Sequence, residues 1–145
     1  MFPTHMAYND TILLVEDSED DAFLFRRAVE RSGCHADVCH CASAGAAMEH
    51  LESLHNSGNR LPALIFVDLL LPNVRGTHLV TWLKQRDEYL AIPVIVITGA
   101  APARTAADLT ILGANAVMLK PATADQLVDC IASACTFWLT CSLRA

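Results

Sequence analysis

Three short apolar segments constrain this chain most strongly, because they predict a buried parallel sheet. They are residues 11–15, 63–67 and 93–97. Apolar residues run through each segment almost without interruption, whereas a strand with one face in water alternates apolar and polar residues. A polar residue ends or follows each segment: Glu16, Asp68 or Thr98. We therefore expect three central strands covered by helices on both faces.

Helical patterns separate these segments from one another and from two weaker strands, at about 36–41 and 115–119. The helices are expected at 20–31, from a cap at Ser43 to about 56, at 76–87, from 102 or 103 to 112, and at 123 to about 140. Alternating strands and helices joined by right-handed crossovers give an α/β fold, a doubly wound five-stranded parallel sheet. We expect the (βα)5 flavodoxin-like strand order 2-1-3-4-5. One domain then covers 11–140, with an extended last helix and tails at 1–10 and 141–145.

Charge and composition exclude several classes of function. The 145 residues carry a net charge of −6, and Lys84 and Lys120 are the two lysines of the sequence, so direct nucleic-acid binding is not expected. No stretch reads as a signal peptide or as a membrane span, and the six cysteines show no CxxC pattern. The expected compartment is the cytoplasm, with the cysteines as reduced thiols.

Acidic residues follow two of the predicted strands, at the edge where parallel strands end. Glu16 and Asp17 follow the first strand, and Asp68 follows the third. Carboxylates held close together repel one another unless a cation lies between them. Mg²⁺ is the ion expected here, because it prefers oxygen ligands and retains several waters. Each acid alone could be a helix cap or a loop residue, but their joint placement favours a metal site.

A lysine and a hydroxyl group are expected at the same edge. Lys120 follows the fifth strand, Thr98 ends the fourth, and Gly99 leaves space for a group the size of phosphate. A carboxylate nucleophile, a Mg²⁺ site, a cation and a hydroxyl donor are the parts of a phosphoryl-transfer site. In this interpretation Asp68 attacks phosphorus, and Thr98 and Lys120 hold the oxygens of the resulting acyl phosphate.

The sequence resembles the response regulator receiver family over about residues 11–140. The matching segments are ILLVEDSEDD at 12–21, LIFVDLLLPNVRG at 64–76, VIVITG at 94–99 and VMLKP at 117–121. The second segment contains the spacing Asp–x3–Pro–x3–Gly, at Asp68, Pro72 and Gly76. The resemblance implies a single-domain regulator of a two-component phosphorelay, a signalling protein that supports its own Mg²⁺-dependent phosphorylation and dephosphorylation but is not otherwise an enzyme.

The resemblance also implies partners and a set of metal ligands. Asp68 would accept a phosphoryl group from a sensor histidine kinase or a phosphotransfer protein. Glu16, Asp17, Asp68 and the backbone carbonyl of Leu70 would hold the Mg²⁺. The stretch at 87–93 and the lack of an output domain resemble small stand-alone receivers that pair with phytochrome-type sensor kinases.

The switch residues match the family in part. Thr98 and Lys120 are the family's phosphate-binding pair, and the bond between Lys120 and Pro121 would be cis, as is common in the family. Val117, however, occupies a position that usually holds an aromatic ring, which turns inward on phosphorylation. A valine cannot switch by ring rotation, so the signal would depend on backbone and loop shifts or would be muted.

Two apolar positions suggest a long-lived phosphoryl group. Leu70 and Ala100 lie two residues after Asp68 and Thr98, respectively. Neither side chain can hydrogen-bond an attacking water, so we expect slow hydrolysis.

The end of the chain carries three consecutive apolar residues, Phe137, Trp138 and Leu139. Three neighbours on a helix cannot all face one groove, so part of this cluster should be exposed or covered by a partner. Either Trp138 closes the edge of the core, or the chain forms a homodimer through its fourth helix, fifth strand and last helix.

Three other classes of protein share parts of this pattern. A haloacid-dehalogenase-type phosphatase needs a second acid two residues after the nucleophile, where this chain has Leu70. A flavodoxin-like flavin carrier would place a phosphate against the acidic first loop, which would repel it. A degenerate receiver that binds proteins without being phosphorylated is the alternative that stays open, and Val117 gives it modest support.

Overall fold

Strands and helices alternate five times in the computed structural model, which describes residues 10–71, 73–99 and 103–141. The strands are β1 (Asp10–Val15), β2 (Ala36–Cys41), β3 (Leu64–Asp68), β4 (Val94–Thr98) and β5 (Ala116–Leu119). The helices are α1 (Glu19–Arg31), α2 (Ala44–Asn56), α3 (Gly76–Lys84), α4 (Ala103–Leu112) and α5 (Ala124–Cys135). All strand pairs are parallel, in the order β2-β1-β3-β4-β5, which confirms the predicted fold and topology.

Several boundaries differ from the sequence prediction by a few residues. β1 begins at Asp10, and β3 ends on Asp68, which was expected to follow it. α3 ends at Lys84 rather than at Asp87. The last helix changes to π-helix at Thr136–Cys141.

The two faces of the sheet bury separate cores, because successive side chains of a strand point to opposite faces. On one face, alternate strand residues such as Leu13, Ile65 and Val96 pack against α2, α3 and α4. On the other face, Ile12, Phe66 and their strand neighbours pack against α1 and α5. Each central strand is therefore apolar throughout, which is the pattern that the sequence shows.

The segment after α3 is held by the second lysine and two aromatic rings. Lys84 Nζ donates hydrogen bonds to the carbonyl oxygens of Leu90 at 3.1 Å and Ile92 at 2.8 Å. Trp82 stacks on the buried Tyr89, with ring centroids 5.2 Å apart. Burial lowers the pKa of Lys84. This lysine has a structural role on the sheet face opposite α1 and α5.

The apolar cluster at the end of the chain divides as predicted. Leu139 is buried and Trp138 packs against the core beside α1 and α5, while Phe137 is 58% exposed. In the part of the chain that is described, no helix combines the length and the apolar character needed to cross a membrane.

Candidate functional site

Polar residues are buried where the carboxyl ends of the central strands meet. Glu16 follows β1, Asp68 ends β3 and Thr98 ends β4, and their exposures are 5%, 7% and 1%. Lys120 follows β5, and its backbone N–H donates to the carbonyl of Thr98 at 2.7 Å. The topology therefore brings the predicted site residues to one edge of the sheet.

The ammonium group of Lys120 is the centre of this site. Its Nζ donates hydrogen bonds to Glu16 Oε1 at 3.1 Å, Asp68 Oδ2 at 3.2 Å and Asp21 Oδ2 at 3.0 Å. An ammonium has three N–H donors, so these three carboxylates engage all of them. Burial alone would lower the pKa of Lys120, but the hydrogen bonds to these carboxylates raise it. The lysine is therefore a fixed positive charge.

The loop after β3 holds the Asp68 carboxylate from the other side. The backbone N–H of Leu70 donates to Asp68 Oδ1 at 3.0 Å, so both carboxylate oxygens have donors. The loop returns at Gly76, whose N–H donates to the carbonyl of Leu69 at 3.2 Å. A Cβ on Gly76 would lie 2.5 Å from the carbonyl oxygen of Asp68. The glycine is needed because the start of α3 passes directly against the backbone of Asp68.

Four polar atoms of Glu16 are bonded. Its N–H donates to the carbonyl of Cys41 at 3.0 Å, and its carbonyl lies 2.6 Å from His40 Nε2. Its side-chain Oε2 accepts from the N–H of Ser18 at 3.3 Å, and Oε1 accepts from Lys120. These contacts fix both the backbone and the carboxylate of the first acidic residue.

Three carboxylates can converge on a metal ion. Ligand atoms of Glu16, Asp17 and Asp68 lie within 4.8 Å of one another, with Asp17 exposed and the other two buried. A set of hard oxygen donors that retains solvent access suits Mg²⁺. Burial, then the hydrogen bond and charge of Asp68, raise the pKa of Glu16 to about 7, although Lys120 opposes the shift. Such excess negative charge is what a bound cation would relieve, so the residues fit the ion.

The remaining predicted residues have mixed outcomes. Thr98 and Gly99 lie at the mouth of the site, with the threonine buried and the glycine exposed. Val117 is half-buried in β5, opposite Val96. The expected cis bond before Pro121 is wrong: no peptide bond in the described ranges is cis. The trans form is favoured for any X–Pro bond by about 0.5–1 kcal/mol. Pro72 and Ala100 lie outside the described residues.

Sequence reasoning missed two residues of the site, Asp21 and His40. Asp21 lies in the first turn of α1, and its contact with Lys120 joins residues 99 positions apart in the sequence. Its place among the acidic residues after β1 was a signal, because α1 begins at Glu19 and directs one of them back to the strand ends. His40 gave no signal, since a histidine in a weak edge strand has no distinctive pattern.

Apolar surface borders the site on the side of α1. Phe23 and Leu24 are 59% and 46% exposed. A cavity of about 160 Å³ opens between α1 and the start of α5, lined by Leu24, Lys120 and Leu127 among others. The charged site is therefore reached across a surface that can accept apolar side chains of another protein.

The sequence matches the response regulator receiver domain over residues 12–132, and the chain belongs to this family. Among curated proteins, it is 31% identical to the polar-differentiation response regulator DivK of Brucella anthropi, over 85% of this chain and 94% of DivK. It is 30% identical to a probable methanogenesis regulatory protein, FilR2, of Methanothrix harundinacea, over 88% of this chain and 83% of that protein.

Two solved structures of response regulators superpose on almost the whole of this chain. The phosphorylated cyanobacterial phytochrome response regulator RcpA superposes with a TM-score of 0.84 at 26% identity, covering 94% of this chain and 98% of RcpA. The Mn²⁺-bound form of response regulator Rcp1 gives a TM-score of 0.81 at 28% identity, covering 94% of this chain and 99% of Rcp1. The chain thus has the receiver fold and is compatible with two-component signalling.

Proposed function

We propose that this protein is a phosphoacceptor of a two-component phosphorelay and that Asp68 is the residue phosphorylated. The observation that carries the proposal is the buried Asp68 carboxylate, held between the Lys120 ammonium and the acidic pair Glu16 and Asp17. Isolated buried carboxylates are costly, so one kept beside a cation and further acids is a candidate for chemistry. The family to which the chain belongs is a signalling family, which agrees with this role.

The proposed reaction transfers a phosphoryl group from a phosphohistidine of a sensor kinase or phosphotransfer protein. An oxygen of Asp68 attacks phosphorus, an O–P bond forms, and the N–P bond to the histidine breaks. The electron pair of that bond returns to the imidazole, which takes up a proton. Lys120 loses its contact with the free carboxylate and donates instead to an oxygen of the acyl phosphate, with Thr98 as the second donor.

Glu16, Asp17, Asp68 and the Leu70 carbonyl are the proposed ligands of Mg²⁺, which would neutralise charge on the transferred group when bound. The Rcp1 structure named above contains Mn²⁺, an ion of similar ligand preference. The protein's own residues supply the other parts of the site: a positioned nucleophile that lies deep enough to limit access of bulk water, and a fixed ammonium group.

We further propose that the output is a change of protein surface, read in the cytoplasm by another protein or a second copy of this chain. Phosphorylation adds about −1.5 to −2 charges, which would draw Thr98 and the start of α4 inward. The face formed by α4, β5 and α5 exposes Ile111 by 82% and Leu119 by 59%, which supports a homodimer there. RcpA is a cyanobacterial phytochrome response regulator, so a phytochrome-type kinase is the proposed donor class.

The test is the intact mass of the protein after incubation with acetyl phosphate, with Mg²⁺ or with a chelator. One added phosphoryl group is expected with Mg²⁺ in the wild type and in Asp87→Asn, a control at an exposed turn, but not in Asp68→Asn. No adduct under any condition would refute the proposal and favour the alternative of an unphosphorylated binding module. Sedimentation of both forms, together with Leu119→Asp, tests the dimer. A monomer at every concentration would contradict it.

A further inference from the structure

We propose that His40 is a positioning residue that sets the geometry of the metal-binding loop, an inference that rests on the proposed function. His40 Nε2 lies 2.6 Å from the carbonyl oxygen of Glu16. A carbonyl oxygen can only accept a hydrogen bond, so Nε2 carries the proton and donates it. The donor comes from β2, the edge strand, and its acceptor belongs to the first acidic residue after β1.

The strand register explains why this side chain can reach. His40 is paired with Leu14 in β1, two residues before Glu16. Because side chains alternate, His40 and Leu14 lie on the face of the sheet that packs against α1 and α5. Cys39 and Cys41 point to the opposite face, where the Cys39 thiol contacts His50 at 3.5 Å. His40 is thus the residue near the end of β2 whose side chain faces the acidic loop.

The hydrogen bond matters because the sheet ends at this point. The last register pair of β1 and β2 is Val15 with Cys41, and one further backbone bond joins the N–H of Glu16 to the carbonyl of Cys41. The Glu16–Asp17 peptide beyond it has no partner strand. The hydrogen bond from His40 to its carbonyl restricts rotation of this peptide, whose plane sets the direction in which the Asp17 side chain leaves the backbone.

Asp17 depends most on this constraint. Its side chain is exposed, unlike that of Glu16, so packing does little to place its carboxylate. Outer contacts that orient metal ligands commonly contribute 10–100-fold in metal affinity. We expect loss of the His40 bond to fall at the lower end of this range, since the backbone bond to Cys41 remains.

The chain allows a sharp test with variants of similar polarity. In His40→Gln the side-chain amide nitrogen can occupy the place of Nε2 and donate to the same carbonyl. In His40→Asn the amide is too short to reach it. His50→Leu is the matched control for His40→Leu, because His50 is also half-buried and contacts β2, but on the opposite face.

Calorimetric titration with Mg²⁺ and the rate of labelling by acetyl phosphate are the two readouts. We expect His40→Asn and His40→Leu to bind Mg²⁺ about tenfold more weakly than wild type. His40→Gln and His50→Leu should stay within about twofold of wild type, and saturating Mg²⁺ should restore the labelling rate of His40→Asn. A purely structural role would lower that rate at every Mg²⁺ concentration.

Equal Mg²⁺ affinity in His40→Gln and His40→Asn would overturn the inference, as would a rate that saturating Mg²⁺ does not restore. The outcome is distinguishable from a failure of the proposed function. If the wild type binds Mg²⁺ through His40-dependent ligands but takes up no phosphoryl group, the positioning role stands and the phosphoacceptor proposal fails. If His40→Leu does not fold, the comparison of His40→Gln with His40→Asn still tests the inference.

Discussion

Gly76→Ala is the substitution whose effect the structure predicts most directly. The new Cβ would lie 2.5 Å from the carbonyl oxygen of Asp68 and 3.0 Å from the Cα of Leu69. The first distance is roughly 0.8 Å shorter than the ~3.3 Å at which a carbon and a carbonyl oxygen normally touch. Both obstacles are backbone atoms, so no side chain can turn aside. Either the start of α3 or the Asp68–Leu69 peptide must move.

The expected magnitude combines a penalty with a smaller gain. Forcing an extra carbon into a packed position costs about 1–3 kcal/mol. Alanine in place of glycine returns up to about 1 kcal/mol at a helical position. We therefore expect Gly76→Ala to lower the free energy of unfolding by about 1–2 kcal/mol. Since about 1 Å of misplacement can cost on the order of 100-fold in rate, we also expect phosphorylation of Asp68 to slow by about 10–100-fold.

Gly45→Ala is the matched control, because Gly45 is also in the first turn of a helix but has nothing within 4 Å of its added Cβ. It should raise the free energy of unfolding by about 0.5–1 kcal/mol. Urea denaturation monitored by circular dichroism measures the difference between the two variants, which we expect to be about 1.5–3 kcal/mol. If Gly76→Ala is as stable as Gly45→Ala, the contact between α3 and the Asp68 backbone does not constrain the fold and the reasoning is wrong.

Three further substitutions or modifications give separate predictions. Lys120→Met removes the cation between buried carboxylates, so the free energy of unfolding measured with a chelator should fall by about 1–3 kcal/mol. In urea titrations, Mg²⁺ should stabilise this variant more than the wild type. Equal stabilisation of the two proteins by Mg²⁺ would contradict the prediction. Leu70, whose side chain is 75% exposed, cannot hydrogen-bond a water beside Asp68. The acyl phosphate should therefore persist for minutes or longer in a phosphate-release assay, and Leu70→Asn should shorten its lifetime. Decay within seconds in the wild type would count against this account. Burial, together with the neighbouring Cys39, raises the pKa of the Cys41 thiol to about 11. This thiol should therefore resist alkylation at pH 8 in the folded protein and react in urea, which peptide mapping can measure. Rapid labelling of Cys41 in the native protein would disprove the prediction.

The fold was predictable because the signal for it is local. Residues of β1, β3 and β4 are apolar on both faces, and only a sheet covered on both sides satisfies that pattern. The alternation of strands and helices along the sequence is compatible with few sheet topologies. Element ends were less predictable, since tertiary contacts decide them: α3 stops at Lys84, whose Nζ turns to the carbonyls of the following segment.

The acidic residues of the site were predictable for a related reason. The carboxyl ends of parallel strands meet at one edge, so knowing that Glu16 and Asp68 follow or end neighbouring strands is enough to bring them together. Lys120 and Thr98 follow by the same rule. Only residue type and strand position are needed, and both can be read in the sequence.

Asp21 and His40 reach the site from a helix turn and from an edge strand, and no such rule places them. Whether the carboxylate of Asp21 meets Lys120 depends on the direction in which α1 leaves the sheet, which its cap at Ser18 sets. Whether His40 meets the Glu16 carbonyl depends on the register of β2, where a shift of one residue would turn the imidazole to the opposite face. The strand ends thus bring the charged groups together, whereas helix caps and strand register determine the orientation of each side chain. The variants of His40 and Gly76 measure the effect of this orientation, since these substitutions leave every charged residue of the site in place.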